Sequence, residues 1–161
     1  MVTVRGILGA PGTPGTQTSI VILGRIVTWH AEGISWESDP RHSDILIEKL
    51  VPSAGKGKVT TPSTRVKPPA GAEAGEHLQP GDVQVFRSLA MRANYLGQDR
   101  PDLQYACREL AKGMANPETT HLTSLKRLAR YLRYRPRLVQ EFRYQKSFTE
   151  IRGWSDADHA G

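Results

Sequence analysis

Between residues 83 and 137 the apolar side chains recur at helical spacing three times over, and only a few residues separate one run from the next. Phe86, Leu89, Ala90, Ala93 and Leu96 form the first stripe, which Gly97 ends. Leu103, Ala106, Cys107, Leu110 and Met114 form the second, and Leu122, Leu125, Ala129 and Leu132 the third, broadened by Leu128. Stripes of this kind bury one face of a helix each. Breaks this short leave consecutive helices little choice but to pack antiparallel against one another. The punctuation agrees. Asp82 is a cap candidate for the first helix. Asp99-Arg100-Pro101-Asp102 offers a cap, a first-turn proline and an acid for the second, and Asn116-Pro117-Glu118 does the same for the third. Pro136 stops the last helix.

The flanks read differently. Val2 to Leu8 is strand-like and runs into a Gly/Pro/Thr loop. Ile20 to Glu37 is rich in Val, Ile and Thr and reads as a β-hairpin turning at His30-Ala31-Glu32-Gly33. Gly24 then falls inside a strand, where glycine marks a bulge or the close approach of another backbone or a ligand. Asp39-Pro40 opens a helix carrying Ile45, Leu46 and Leu50, which Pro52 ends. Val51 to Asp82 holds five prolines and few large apolar residues, so it reads as a linker too poor in burial to offset its ordering entropy. Its Gly55-Lys56-Gly57-Lys58 lacks the spacing and the Ser/Thr of a phosphate loop. Leu138 to Trp154 alternates like a strand, and the chain then reaches Asp156 and Asp158, as if a domain were cut just after its start.

Charge is the second constraint. The formal net charge is +6. From Thr119 to Lys146 the chain carries Lys126, Arg127, Arg130, Arg133, Arg135, Arg137, Arg143 and Lys146 against Glu141 alone. A solvated structural helix gains from opposite charges one turn apart; the third helix forgoes them. Uncompensated cations on one face suit a phosphate backbone. The bland alternative is an ordinary solvated face, and Tyr131 and Tyr134 suit base stacking or core packing alike. One cysteine, Cys107, excludes an internal disulfide and a cysteine-based zinc site and fits a reducing, intracellular setting; its place in an apolar stripe marks a buried thiol. Neither a signal peptide nor a membrane-spanning run is visible, so no membrane partner is expected. His42 reads as a packing or capping residue, and His30, His77, His121 and His159 have no evident partners. Asp156 and Asp158 are the only close acidic pair with a catalytic look; a hard cation such as Mg²⁺ takes such oxygen ligands, while the plain reading is a polar loop.

Several of these residues together resemble the Pol polyprotein of copia-type LTR retrotransposons, from the end of reverse transcriptase into the start of ribonuclease H. They are Phe86-Arg87-Ser88-Leu89, Tyr95-Leu96, Arg100-Pro101-Asp102, Tyr105-Ala106, Asn116-Pro117, His121, Leu125-Lys126-Arg127-Leu128 and Arg130-Tyr131-Leu132, followed by Gly153-Trp154-Ser155-Asp156-Ala157-Asp158-His159-Ala160-Gly161. Ile22-Leu23-Gly24-Arg25-Ile26 is similar to the family's strand after the polymerase core, and Pro62 to a Thr-Pro in its linker. The resemblance implies that Leu23 and Gly24 belong to a primer grip and that Asp156 is the first ribonuclease H carboxylate, a metal ligand. It implies Mg²⁺ in the parent enzyme and none for this stretch alone. It also places the paired polymerase aspartates before residue 1 and the other ribonuclease H acids after Gly161, and His159 stands where the family has Trp.

The reading is an α+β partial domain: an N-terminal β-hairpin plus helix (1–50), a disordered linker (51–82), a three-helix block (83–137) and a short β tail opening ribonuclease H (138–161). Its expected role is primer-template contact within an RNA-directed DNA polymerase, with RNA/DNA hybrid or duplex and the rest of Pol as partners. Catalysis would belong to the parent, in a cytoplasmic particle or the nucleus. Lys126, Arg127, Arg130 and Arg133 would hold phosphates. A stand-alone basic nucleic-acid-binding module and a degenerate retroelement remnant are the alternatives.

Overall fold

The computed structural model describes residues 4, 6–51, 58–64, 75–146, 150 and 153. The described chain is α+β, as expected. Its elements run β1 (Ser19–Ile22), β2 (Arg25–His30), β3 (Gly33–Glu37), α1 (Pro40–Leu50), α2 (Pro80–Gly97), α3 (Gln104–Lys112), α4 (Thr119–Tyr134) and β4 (Val139–Arg143). The strands form one antiparallel sheet in the order β1-β2-β3-β4.

The three expected stripes become the core. Phe86, Ala93, Leu96, Leu103, Leu125, Leu128, Ala129 and Leu132 are all but inaccessible to water, and Leu46 and Leu50 of α1 join them with Val51 at its C-cap. Each leucine or phenylalanine so buried contributes about 1.5–3 kcal/mol of hydrophobic stabilisation. Helix α1 therefore packs into the helical block. Its start is as expected: the Asp39 carboxylate accepts from the Arg41 N–H at 3.0 Å, with Pro40 in the first turn. Pro52 lies outside the described residues.

Four local expectations need correction. Residues 20–37 form three strands and not a hairpin of two. Ile22 pairs with Arg25, so Leu23 and Gly24 are a two-residue turn, with φ of +50° and +82°. Two successive positive φ values match the right-handed twist of the flanking strands, which is why tight hairpins use them. Gly24 is thus a turn residue. Its close neighbour is the Asp39 carboxylate, which a Cβ there would meet at 2.2 Å. Helix α2 begins at Pro80, placing Asp82 inside its first turn instead of at its cap. Helix α3 begins at Gln104, because Asp99, Arg100 and Asp102 are engaged elsewhere. Of the expected first strand, Leu8 makes one isolated bridge, to Gln17; Met1, Val2, Thr3 and Arg5 lie outside the described residues.

The linker also carries more structure than its composition implies. Val59 is buried. At the linker's far end the Leu78 N–H donates to Pro117 O at 3.1 Å, and the Thr119 N–H donates to Glu76 O at 2.9 Å. The backbone just before α2 is thereby tied to the start of α4. At the other end of the chain, β4 completes the sheet against β3, with Trp36 opposite Gln140 and Ile34 opposite Phe142.

Candidate nucleic-acid interface

Helix α4 is built as its pattern implies. Leu125, Leu128, Ala129 and Leu132 point inward, Lys126 and Arg133 are exposed, and Arg127 and Arg130 are half-buried. No acidic residue occurs anywhere in the helix. Its N-terminus is closed by a reciprocal cap in which the Glu118 N–H donates to His121 Nδ1 at 3.1 Å. His121, without an evident partner in the sequence, is therefore a capping residue. Its ring also lies 6.3 Å from that of Phe86. Arg127 Nη2 donates to Thr61 Oγ1 at 2.9 Å, while its Nε is buried with no acceptor among the described residues.

The far end of α4 rests on a buried arginine. Arg100 has no exposed surface. It grips Asp102 with both arms of its fork, Nε to Oδ1 at 2.9 Å and Nη2 to Oδ2 at 2.8 Å. It also donates to the carbonyls of Arg135 (2.9 Å) and Pro136 (3.1 Å), just past the helix end. The Tyr131 hydroxyl donates to Asp102 Oδ2 at 2.8 Å, so Tyr131 belongs to this clamp and Tyr134, 42% exposed, is the tyrosine left at the surface. Burial pushes the Asp102 carboxyl up, but the hydrogen bonds from Arg100 and Tyr131 and the Arg100 charge outweigh it and hold it below the usual range. Burial, followed by the hydrogen bond to Asp102, raises Tyr131. A second arginine, Arg87, donates to the carbonyls of Met114 and Ala115, both at 2.9 Å, and so closes the turn after α3. Arg87, Arg100, Asp102 and His121 all stand in the quoted motifs. Here each one holds a helix end in place.

Asp99 couples the sheet to this block. Its Oδ2 accepts from Arg25 Nε at 2.7 Å, its Oδ1 from Trp36 Nε1 at 3.1 Å, and its backbone carbonyl from Gln140 Nε2 at 2.7 Å. Three strands are thus tied to one residue at the end of α2. The Arg25 guanidinium also lies over the Tyr95 ring, 4.9 Å from its centroid, and donates to the Tyr95 hydroxyl at 3.0 Å. The His42 ring also meets Tyr95, 4.6 Å between centroids and tilted by 49°. Burial lowers its pKa, with the charges of Arg92, Arg41 and Arg25 assisting and Asp39 opposing. Composition and periodicity gave no sign of this joint, because its members lie on five separate elements and one turn.

Leu23 and Gly24 sit at the tip of the β1–β2 turn. Leu23 is 79% exposed, next to the exposed Val21 and Ile22, and its carbonyl accepts from the Tyr95 hydroxyl at 3.3 Å. The structure therefore leaves the turn and α4 as two separate features. Asp156, with Asp158, lies outside the described residues. Among the described residues no group of three His, Cys, Asp or Glu side chains is arranged to hold a metal ion, and no helix is long and apolar enough to cross a membrane.

The chain is similar to retrotransposon Pol polyproteins. It is 34% identical over 103 residues, 64% of its length, to the retrovirus-related Pol polyprotein from transposon RE1 of Arabidopsis thaliana. It is 35% identical over 80 residues, 50% of its length, to the retrovirus-related Pol polyprotein from transposon RE2 of the same plant. These stretches span 7% and 5% of the relatives' own lengths. The copia-type resemblance carried by the motifs is borne out by both. No family model and no solved structure matches the chain.

Proposed function

We propose that this chain is a segment of a retrotransposon RNA-directed DNA polymerase and ribonuclease H polyprotein, and that it contributes primer-template contact without catalysis of its own. The acid-free face of α4 carries the reading: Lys126, Arg127, Arg130 and Arg133 lie along one helix whose opposite side is core and whose two ends are capped and clamped. A rigid row of cations gains by neutralising a row of phosphates and releasing their counterions. The helix contacts backbone and not base edges, so affinity for RNA/DNA hybrid and DNA duplex depends little on sequence. Leu23 at the exposed hairpin tip is the second proposed contact. The metal chemistry, with Mg²⁺ and Asp156, belongs to the longer polyprotein in this reading.

Fluorescence anisotropy with labelled duplex and hybrid, titrated across salt, tests the proposal. Four phosphate contacts give a log–log salt slope of roughly −3 to −4, and K126Q/R130Q reduces its magnitude by about 2. Absence of binding at low salt, or binding indifferent to salt, overturns it. Sustained polymerase or ribonuclease turnover by the chain with Mg²⁺ overturns the non-catalytic part.

A further inference from the structure

The linker segment that touches α4 contains Thr61-Pro62, and its exposed threonine already sits on the basic face. Val59, two residues earlier, is buried, which anchors the segment. Thr61 Oγ1 lies 2.9 Å from Arg127 Nη2, and the neighbouring Nε of the same guanidinium has no acceptor among the described residues. A hydroxyl satisfies one arm of the fork. The planar guanidinium is matched to two oxygens at once, as on a phosphate. Lys126 and Arg130 flank it on the helix, and Lys58 stands exposed on the same strap.

We propose that Thr61 is a phosphorylation site for a proline-directed kinase, and that its phosphate occupies Arg127 and switches the basic face off. In the step, Thr61 Oγ1 attacks the γ-phosphorus of ATP. The new O–P bond forms as the bond to the bridging oxygen breaks, the hydroxyl proton passes to the kinase's base, and ADP departs. The product carries about −1.5 to −2 charges at neutral pH. Paired with Arg127, it removes one cation from the row and leaves net negative charge beside Lys126 and Arg130. The consequence for binding rests on the nucleic-acid reading above; the modification and its pairing with Arg127 do not. The chain's other Thr-Pro, Thr13-Pro14, lies in the turns before β1 and serves as an internal control.

The test treats the purified chain with ATP and a proline-directed serine/threonine kinase and locates the phosphate by mass spectrometry, with Thr61→Val and Thr13→Val alongside. Incorporation at Thr61, abolished only by T61V, is expected; no incorporation there overturns the site. Phosphorus NMR then follows the phosphate's second ionisation, ordinarily near about 6. It should fall below that in the parent chain and return in Arg127→Gln. An identical ionisation in both chains overturns the pairing. Finally, duplex affinity at low salt should drop about tenfold on modification, from one cation lost and one dianion gained, and T61V should bind like the untreated parent. Unchanged affinity of a chain that does bind overturns the switch. A lowered ionisation in a chain that binds no duplex at all supports the site and refutes the nucleic-acid reading instead.

Discussion

Replacing Arg100 by methionine removes the four hydrogen bonds at the end of α4 while keeping most of the buried volume. In the native chain Arg100 is fully buried and Asp102 has 20% of its side chain exposed. After the substitution, Asp102 loses both arms of the guanidinium and keeps the Tyr131 hydroxyl, and the carbonyls of Arg135 and Pro136 lose their buried donor. Breaking one side of a buried ion pair costs about 3–5 kcal/mol. Water reaching Asp102 softens this, so R100M should cost about 3 kcal/mol, a large fraction of the ~5–15 kcal/mol that holds a domain folded. Asp102→Leu should cost more, because it strands a guanidinium with no access to water. The double variant R100M/D102L should recover about 2 kcal/mol of the summed losses, since no buried charge is left unpaired. Urea unfolding followed by circular dichroism measures all three. A loss under about 1 kcal/mol for R100M, or strict additivity in the cycle, would refute the view that this motif arginine is a structural clamp.

Acid should unfold the chain through named carboxylates. Glu37 is held below its ordinary range chiefly by the hydrogen bond from Arg137, and Asp39 chiefly by that from Arg41; Asp102 is lowered as described. A depressed folded pKa means stability that is full above the ordinary carboxylate range and is lost as pH falls through the folded values. His42 acts in the same direction at higher pH: its folded pKa lies below 6.5, so stability declines as pH drops below that value. Unfolding midpoints measured from pH 7 downward, with His42→Gln removing the earlier decline, check both. Gly33→Ala should detach β4, because a Cβ there would meet Phe142 O at 2.1 Å; amide exchange in Val139–Arg143 should accelerate while the core of α2 stays protected. Burial pushes the Cys107 thiol up to about 11, and its Sγ donates to Ala93 O at 3.1 Å. A disulfide reagent should therefore label it only at the rate of unfolding, and rapid labelling of the native chain would contradict its packing.

The helices were legible in the sequence because helical periodicity is local. Phe86 to Leu96 and Leu122 to Leu132 repeat within three or four residues, so each stripe announces the face it will bury. The cap at Asp39 and the basic, acid-free face of α4 were legible for the same reason. The turn at Leu23-Gly24 was not, since leucine carries none of the usual marks of a positive-φ position and the apolar run reads straight through it. What the motif polar residues do was also hidden. Arg100 meets its carbonyl partners 35 and 36 residues away, and Arg87 meets Met114 at a separation of 27. Asp99 draws in Arg25 and Gln140 from opposite ends of the chain, and β4 finds β3 about a hundred residues upstream, Glu37 also accepting from Arg137. Hydrogen bonds between groups that far apart carry no periodic signature. The sequence by itself thus determined which segments are helices, which faces they bury and where the positive charge collects. Only the tertiary structure decided that the sheet closes through β4, that Thr61 lies on Arg127, and that Arg87, Arg100, Asp102 and His121 hold helix ends, because a satisfied buried polar group is defined by the partner that folding brings to it.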